Sequence, residues 1–374
     1  MRNKLFLLLF LSAFATACKS TIEVPETKAE KVIIGYVPGY RGQLDVDKID
    51  AKKLTHINYA FVNVKDSMAL LTNLATDSIN FRNLNRLKED NPDLKILISL
   101  GGWSWSENFS DAVLTESSRK KFADSNLDIV EQYNLDGVDI DWEYPGFRGE
   151  DNVFRSEDRQ NFTLMFKSLR EGLDSLSVIT EKKYLLTTAV PEFRGFLEKT
   201  DMGEVAKHLD FVNLMAYDFY VPAGDTVGHH SNLYPTRDGK GRSADTGVND
   251  FVNAGVPVEK IVLGIPFYGR SWIMQSTDNN GIERIADSVT RAGGYSFIKD
   301  SLVNSVGFIR YWDEQAQAPY LFNKETKQLV VYDDEESVKL KCLYVEDKNL
   351  AGVMFWQYES DPKLYLLDEI NEHF

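Results

Sequence analysis

The sequence predicts an α/β protein, a (β/α)8 or TIM barrel with an α+β subdomain inserted between its seventh and eighth strands. Three observations predict it. Eight short runs rich in β-branched and aromatic residues recur along the chain. Several of them are continuously apolar, as parallel strands covered on both faces must be. Helical patterns separate them, and catalytic groups in such a barrel gather at the C-terminal ends of the strands. A doubly wound open sheet is the competing architecture.

The runs are VIIGYV (32–37), LTHINYAFV (54–62), LKILISL (94–100), GVDIDWE (137–143), YLLTTAV (184–190), FVNLMAY (211–217), IVLGIPF (261–267) and AGVMFW (351–356). The clearest helix is SEDRQNFTLMFKSLREGLDSL, with Phe162, Met165, Phe166, Leu169, Leu173 and Leu176 at helical spacing behind a capping Ser156. One interval breaks the alternation. Between the seventh run and the helix DDEESVKLKCLYVEDK, residues 271–332 hold the strand-like pieces GFIRYW, PYLFN and QLVVY. Those residues are assigned to the inserted subdomain, and 31–270 with 333–374 to the barrel.

The chain opens MRNKLFLLLFLSAFATACKS: a basic start, an apolar run too short to span a bilayer, then small residues. This reads as a signal peptide over 1–17, so the protein is expected to be exported. Ala15-Thr16-Ala17 fits ordinary cleavage, whereas Cys18 fits a lipidated bacterial cell-envelope lipoprotein, which is the favoured reading over free secretion. Residues 18–30 are polar and aperiodic and read as a tether. The second cysteine, Cys342, lies in an apolar helical pattern, and no disulfide with Cys18 is expected.

With 374 residues and 43% hydrophobic content, the chain can bury a substantial core. A formal net charge of -15 with no Lys/Arg-rich run makes nucleic acid a poor partner and a neutral substrate a better one. A monomer is expected.

The stretch DGVDIDWEYP (136–145) carries the chemistry. In a strand, Asp139, Asp141 and Glu143 share one face while Val138, Ile140 and Trp142 share the other. Alternate Cα atoms lie about 6.6 Å apart, close enough for desolvated carboxylates to raise one another's pKa. Glu143, outermost on the strand, would then stay protonated near neutral pH and serve as a general acid. Two other readings compete. Asp-x-Asp-x-Glu offers hard oxygen ligands for a divalent metal, although the glycine and spacing of a calcium loop are missing. A solvated acidic rim is the other, weakened by the flanking Val, Ile and Trp. The adjacent His229 and His230 read as surface or loop-packing residues rather than ligands. Trp103, Trp105, Trp142, Trp272 and Trp356 sit at or near strand ends, and indole faces stack on the C–H faces of sugar rings.

DGVDIDWEYP resembles the DxxDxDxE signature of glycoside hydrolase family 18, and the chain is similar to the family's bacterial chitinases. SLGGWSWSENFSDA (99–112) resembles the family's third-strand segment and LTHINYAFV its second strand. NLMAYD (213–218), LGIPFYGRSW (263–272) and GVMFWQYESD (352–361) resemble strands six, seven and eight. The resemblance covers about residues 32–370. It implies hydrolysis of β-1,4 bonds between N-acetylglucosamine units of chitin or its oligosaccharides, without metal or organic cofactor. Family 18 enzymes are known exceptions to the two-carboxylate scheme of glycoside hydrolysis: the substrate's 2-acetamido group attacks its own anomeric carbon, with net retention. On these positions Glu143 would be acid and then base. Asp141 would orient the acetamido N–H and share a proton with Asp139, and Tyr217 would hold the acetamido oxygen beside Met215 and Asp218. Trp356 would floor the pocket, Tyr36 and Ser99 would stand behind the acids, and Tyr268, Trp103 and Phe61 would meet the sugars.

A conventional retaining enzyme needs a second carboxylate about 5 to 5.5 Å from the acid, and Asp218 is the obvious candidate in the sequence. Tyr40 stands where many relatives carry Trp, and the loop after Asp218 lacks its usual Trp. The related reading is an endo-β-N-acetylglucosaminidase acting on glycoprotein glycans. A non-catalytic chitin-binding lectin is disfavoured because all three acids are present.

Overall fold

The computed structural model describes residues 30–236 and 241–374. The expected signal peptide, Cys18 and nearly all of the tether lie outside them. Eight parallel strands form the barrel: β1 (Val32–Pro38), β2 (His56–Lys65), β3 (Lys95–Gly101), β4 (Gly137–Asp141), β5 (Leu185–Pro191), β6 (Phe211–Met215), β7 (Ile261–Pro266) and β8 (Gly352–Trp356). Each follows its neighbour in order, and β1 pairs with both β2 and β8, so the sheet closes. All eight apolar runs of the sequence fall on these strands.

Six longer helices pack outside: α1 (Leu74–Arg86), α2 (Glu116–Gln132), α3 (Asp158–Thr180), α4 (Ala244–Asn253), α5 (Glu335–Asp347) and α6 (Tyr365–His373). Three short 3-10 turns join β1 to β2 in place of a crossover helix, and two short helices, Arg194–Glu198 and Met202–Val205, join β5 to β6. Helix α3 buries the predicted face of Phe162, Met165, Phe166, Leu169, Leu173 and Leu176. Its start differs from expectation. The helix begins at Asp158, and Ser156 makes no cap, because its hydroxyl turns to the Glu157 carboxylate. The Asp158 carboxylate instead accepts from the backbone N–H groups of Gly146 (3.1 Å) and Arg155 (2.8 Å), fastening the loop that follows β4. Trp142, on the outward face of that strand's end, is buried flat against Phe109 at 5.3 Å and near Phe162 at 5.9 Å, so it is core and not a sugar platform.

A second, antiparallel sheet of six strands follows β7, in the order Phe308–Asp313, Ala318–Asn323, Gln328–Val331, Arg270–Met274, Arg284–Thr290 and Thr226–Val227. It begins one residue before the expected boundary and recruits Thr226–Val227 from the loop after β6. Trp272 is buried among Met274, Phe322 and Leu329 in this sheet's core, donating to the Val221 carbonyl at 3.3 Å. It is therefore structural, contrary to its expected place beside the sugars. Where the chain returns to the barrel, the wholly buried Lys341 ammonium pairs with Asp333 at 2.6 Å, and Ser231 and Ser337 also donate to that carboxylate. A buried ion pair persists only when its remaining hydrogen-bonding capacity is met in this way.

Gly101 sets how closely β3 and β4 approach at the end where function is expected. Its φ is +102°, and a Cβ there would lie 2.3 Å from the Asp141 carbonyl oxygen, which accepts from the Gly102 N–H at 2.8 Å. Gly101→Ala is expected to lose at least about 2 kcal/mol in urea denaturation, with turnover falling further than the unfolded fraction explains. An unchanged midpoint and turnover would show that the approach tolerates a methyl group.

Candidate active site

The strand register explains how an acidic ribbon can be buried. Ser99 on β3, Asp139 on β4 and Thr187 on β5 are lateral neighbours in one row of the barrel. Ser99 Oγ and Tyr36 Oη donate to Asp139 Oδ2 at 2.7 and 2.9 Å, while Thr187 Oγ1 and Asn213 Nδ2 donate to Oδ1 at 2.6 and 3.2 Å. Burial raises the Asp139 pKa, and these four donors oppose the rise because each favours the charged form. Four neutral donors thus cradle the Asp139 carboxylate, and its charge also acts on the neighbouring Asp141.

Asp141, next along the same face, is buried, and its Oδ1 has no hydrogen-bond partner among the described residues. Burial first, then the charges of Glu143 and Asp139, push its carboxyl well above the usual range. Glu143 follows at the mouth, its backbone N–H donating to Ser106 Oγ at 2.9 Å. Its pKa rises from 4.5 to about 7. Burial is the main cause, a hydrogen bond from Tyr144 opposes it, and the Asp218 charge adds to it. Crowding by neighbouring acids therefore acts mostly on Asp141, and desolvation does the larger part at Glu143. The two form one interacting pair that keeps a proton near neutral pH.

Across the barrel, Tyr217 is half-buried, and desolvation of its phenol together with the nearby acids keeps it protonated. Its one hydroxyl contact among the described residues is a 3.9 Å approach to Met354 Sδ, so the donor is free to turn to a ligand. Asp218 is clasped by Arg270, Nε to Oδ1 at 2.8 Å and Nη2 to Oδ2 at 2.6 Å, with His230 Nδ1 at 3.5 Å. Burial opposes its charge, but His230 and Arg270 outweigh it and hold Asp218 well below the usual carboxylate range. Both histidines of the loop are buried, as packing residues and not surface ones, and burial keeps His230 neutral.

These groups line a cleft of about 880 Å³ at the C-terminal ends of the strands. Asp141, Glu143, Met215 and Tyr217 stand at its base. Trp356, stacked on Phe61 at 5.4 Å and tilted against Tyr36 at 5.9 Å, walls one end, with Tyr40 beyond at 6.4 Å from Phe61. Trp103, 49% exposed, and Tyr144 border the Glu143 side; Tyr268 and Arg270 close the flank beside Tyr217. Of the expected site residues, only Asp139 and Ser99 do not reach the cleft; they lie fully buried behind it. The peptide bonds Ala60–Phe61, Glu143–Tyr144 and Trp356–Gln357 are cis. A smaller hollow of about 560 Å³ is lined by ion-paired groups such as Arg170, Asp174 and Asp210 and holds none of this constellation. Among the described residues no three His, Cys, Asp or Glu side chains converge as a metal site would require.

Sequence reasoning did not single out Thr187, Asn213, Arg270, Tyr144 or Phe193. Thr187 and Asn213 had a usable signal, since a polar residue inside an apolar parallel strand needs a buried partner. Arg270 could be found only through the fold.

The sequence profile of the glycosyl hydrolases family 18 matches residues 32–361. The chain belongs to that family. A family 18 relative, Chitinase A1 of Niallia circulans, is 34% identical over 90% of this chain and 58% of its own. Mouse Chitotriosidase-1 is 35% identical over 84% of this chain and 68% of its own. The solved structure of a family 18 N-acetylglucosaminidase from Paenibacillus barengoltzii superposes with a TM-score of 0.85 at 39% identity, over 92% of this chain and all of that one. The chain thus spans little more than half the length of the first of these relatives. The family 18 motifs of the chain coincide with the cleft: the acidic ribbon that begins on β4, Tyr217 and Asp218 after β6, and Trp356 at the end of β8.

The raised Glu143 pKa has a stability consequence with a definite sign. The folded protein binds this proton more tightly than the unfolded chain, so the group's contribution is complete below about pH 4.5 and is lost as pH rises through about 7. Glu143→Gln removes the titration. The variant is expected to melt a few degrees above the parent at pH 8, with the gap closing toward pH 4. A gap independent of pH would mean that Glu143 titrates normally.

Proposed function

We propose that this family 18 enzyme hydrolyses β-1,4 linkages between N-acetylglucosamine units of chitin and chito-oligosaccharides, with retention, and that the substrate's 2-acetamido oxygen is the nucleophile. The protonated Glu143 gives its proton to the glycosidic oxygen as the bond to the anomeric carbon breaks. The acetamido oxygen closes on that carbon, Tyr217 donating to it and Asp141 receiving the amide N–H and offsetting the positive charge of the oxazolinium. Glu143, now a carboxylate, takes a proton from the water that opens the ring, which restores the acid. The sugar being cleaved lies over Trp356, with Tyr36 and Met215 beside it.

The observation that carries this reading is the fate of the second carboxylate. Asp218, which a conventional retaining mechanism would call on, has both oxygens engaged by Arg270, whereas Asp141 and the free hydroxyl of Tyr217 both face the cleft. An acceptor and a donor suit the two ends of an amide. The relatives, chitinases among them, support the substrate class. The N-terminal pattern supports export, with Cys18 as a lipid anchor to a membrane or with release after Ala17.

Glu143→Gln is expected to lower kcat on the N-acetylglucosamine hexamer by at least about 10²-fold while oligosaccharide binding persists. A hexamer analogue lacking the 2-acetamido groups is expected to resist cleavage. Rapid cleavage of that analogue would overturn the acetamido route, and cleavage of a high-mannose glycopeptide but not of the hexamer would move the assignment to glycoprotein glycans. The basic limb of kcat/KM is expected near pH 7, rate falling about tenfold per unit above it; a rate flat to pH 9 would remove Glu143 as the acid.

A further inference from the structure

We propose that Ser106 is a positioning residue for the general acid: its hydroxyl fixes where the Glu143 backbone leaves the barrel, and so where the proton donor meets the glycosidic oxygen. This rests on the chitinase reading above. Ladder hydrogen bonds cannot fix Glu143. The pairing of β4 with β5 ends at Ile140 and its pairing with β3 at Asp141, two residues short of the acid. Beyond that point the main-chain polar groups need other partners, and one side chain supplies them. Ser106 Oγ accepts from the Glu143 N–H at 2.9 Å and donates to the carbonyls of Gly102 at 2.8 Å and Asp141 at 3.3 Å. It therefore holds the peptide groups on both sides of Trp142, the residue that separates the two reacting acids.

Ser106 can act as a fixed point because its own segment is held. It is wholly buried and directly follows the 3-10 turn Trp103–Trp105. On its other side, Phe109 donates its backbone N–H to the Ser106 carbonyl at 3.4 Å and stacks its ring on the Trp142 indole at 5.3 Å. The Gly102 N–H adds its 2.8 Å bond to the Asp141 carbonyl. The loop after β3 thus grips the end of β4 by main chain, by hydroxyl and by ring. Ser104, two residues earlier and exposed, gives the contrast, since its hydroxyl turns to the Glu150 carboxylate. A general acid must come within about 3 Å of the oxygen it protonates, and a misplacement of about 1 Å can cost about 10²-fold in rate. The same turn presents Trp103 and Trp105 to the cleft, so one segment sets both the wall of the cleft and the acid beside it.

The test compares Ser106→Ala with the parent in the full chain on two substrates: the N-acetylglucosamine tetramer, whose leaving sugar needs a proton, and the 2,4-dinitrophenyl glycoside of chitobiose, whose leaving phenolate needs none. Both are read as kcat/KM on one preparation, so their ratio does not depend on how much of the variant folds. Glu143→Gln, measured alongside, shows what loss of the acid does to that ratio. The expected result for Ser106→Ala is a loss of about 10- to 100-fold on the tetramer and of no more than about threefold on the aryl glycoside. If the Ala variant folds too poorly to assay, Ser106→Cys, which fills the site with a weakly hydrogen-bonding group, is expected to show the same skew in smaller measure. Losses in equal proportion on the two substrates would make Ser106 a packing element and overturn the proposal, as would a tetramer kcat/KM within twofold of the parent. A parent enzyme that leaves the tetramer intact, or a Glu143→Gln variant that loses both substrates equally, would defeat the chitinase reading itself and this proposal with it.

Discussion

The site depends on an uneven distribution of hydrogen-bond donors along one buried ribbon. Asp139 receives four, from four different strands of the barrel, and so can exist as a buried anion. Asp141 has an oxygen without a partner among the described residues, and Glu143 sits where burial, with a smaller push from the Asp218 charge, lifts its pKa to about 7. A burial that would be prohibitive for three bare carboxylates becomes tolerable when one is solvated by the protein and the other two keep a proton between them. The barrel makes the arrangement available, because its parallel register brings Ser99, Asp139 and Thr187 into one row.

The opposite wall solves a related problem by the opposite means. Asp218 is charged and paired, gripped by the bidentate guanidinium of Arg270, so it influences the cleft as a fixed charge and not as a base. Arg270 opens the second sheet, whose core of Trp272, Met274 and Phe322 is independent of the barrel's. The insertion therefore reaches the cleft through its first residue, which neutralises the carboxylate that would otherwise compete with Asp141 and Glu143.

Much of this was legible in the sequence, for a physical reason. Apolar runs of strand length between helical repeats fix the barrel, and the period-two alternation of Asp139, Asp141 and Glu143 fixes which acids face inward. What the sequence concealed was partnership. Asp136, in the same motif, lies just before β4 and is ion-paired with Lys88 at 2.6 Å and Lys182 at 2.9 Å, a role that alternation alone cannot reveal. Trp272 and Trp142 look like sugar platforms because they neighbour strand ends, yet both face cores, since a residue's side of the sheet at a strand end depends on where the loop turns. The donors Thr187 and Asn213 that cradle Asp139 are remote from it in sequence, and only the closed sheet brings them to it.

The account stands on Glu143 keeping its proton to about pH 7 because it is buried. The most direct measurement is a carboxyl-carbon NMR titration of protein labelled with 13C at glutamate side chains, with Glu143→Gln used to assign the resonance. The account predicts one glutamate resonance, lost in the variant, that titrates with an apparent midpoint near 7. A Glu143 resonance fully ionised by pH 5.5 would contradict it.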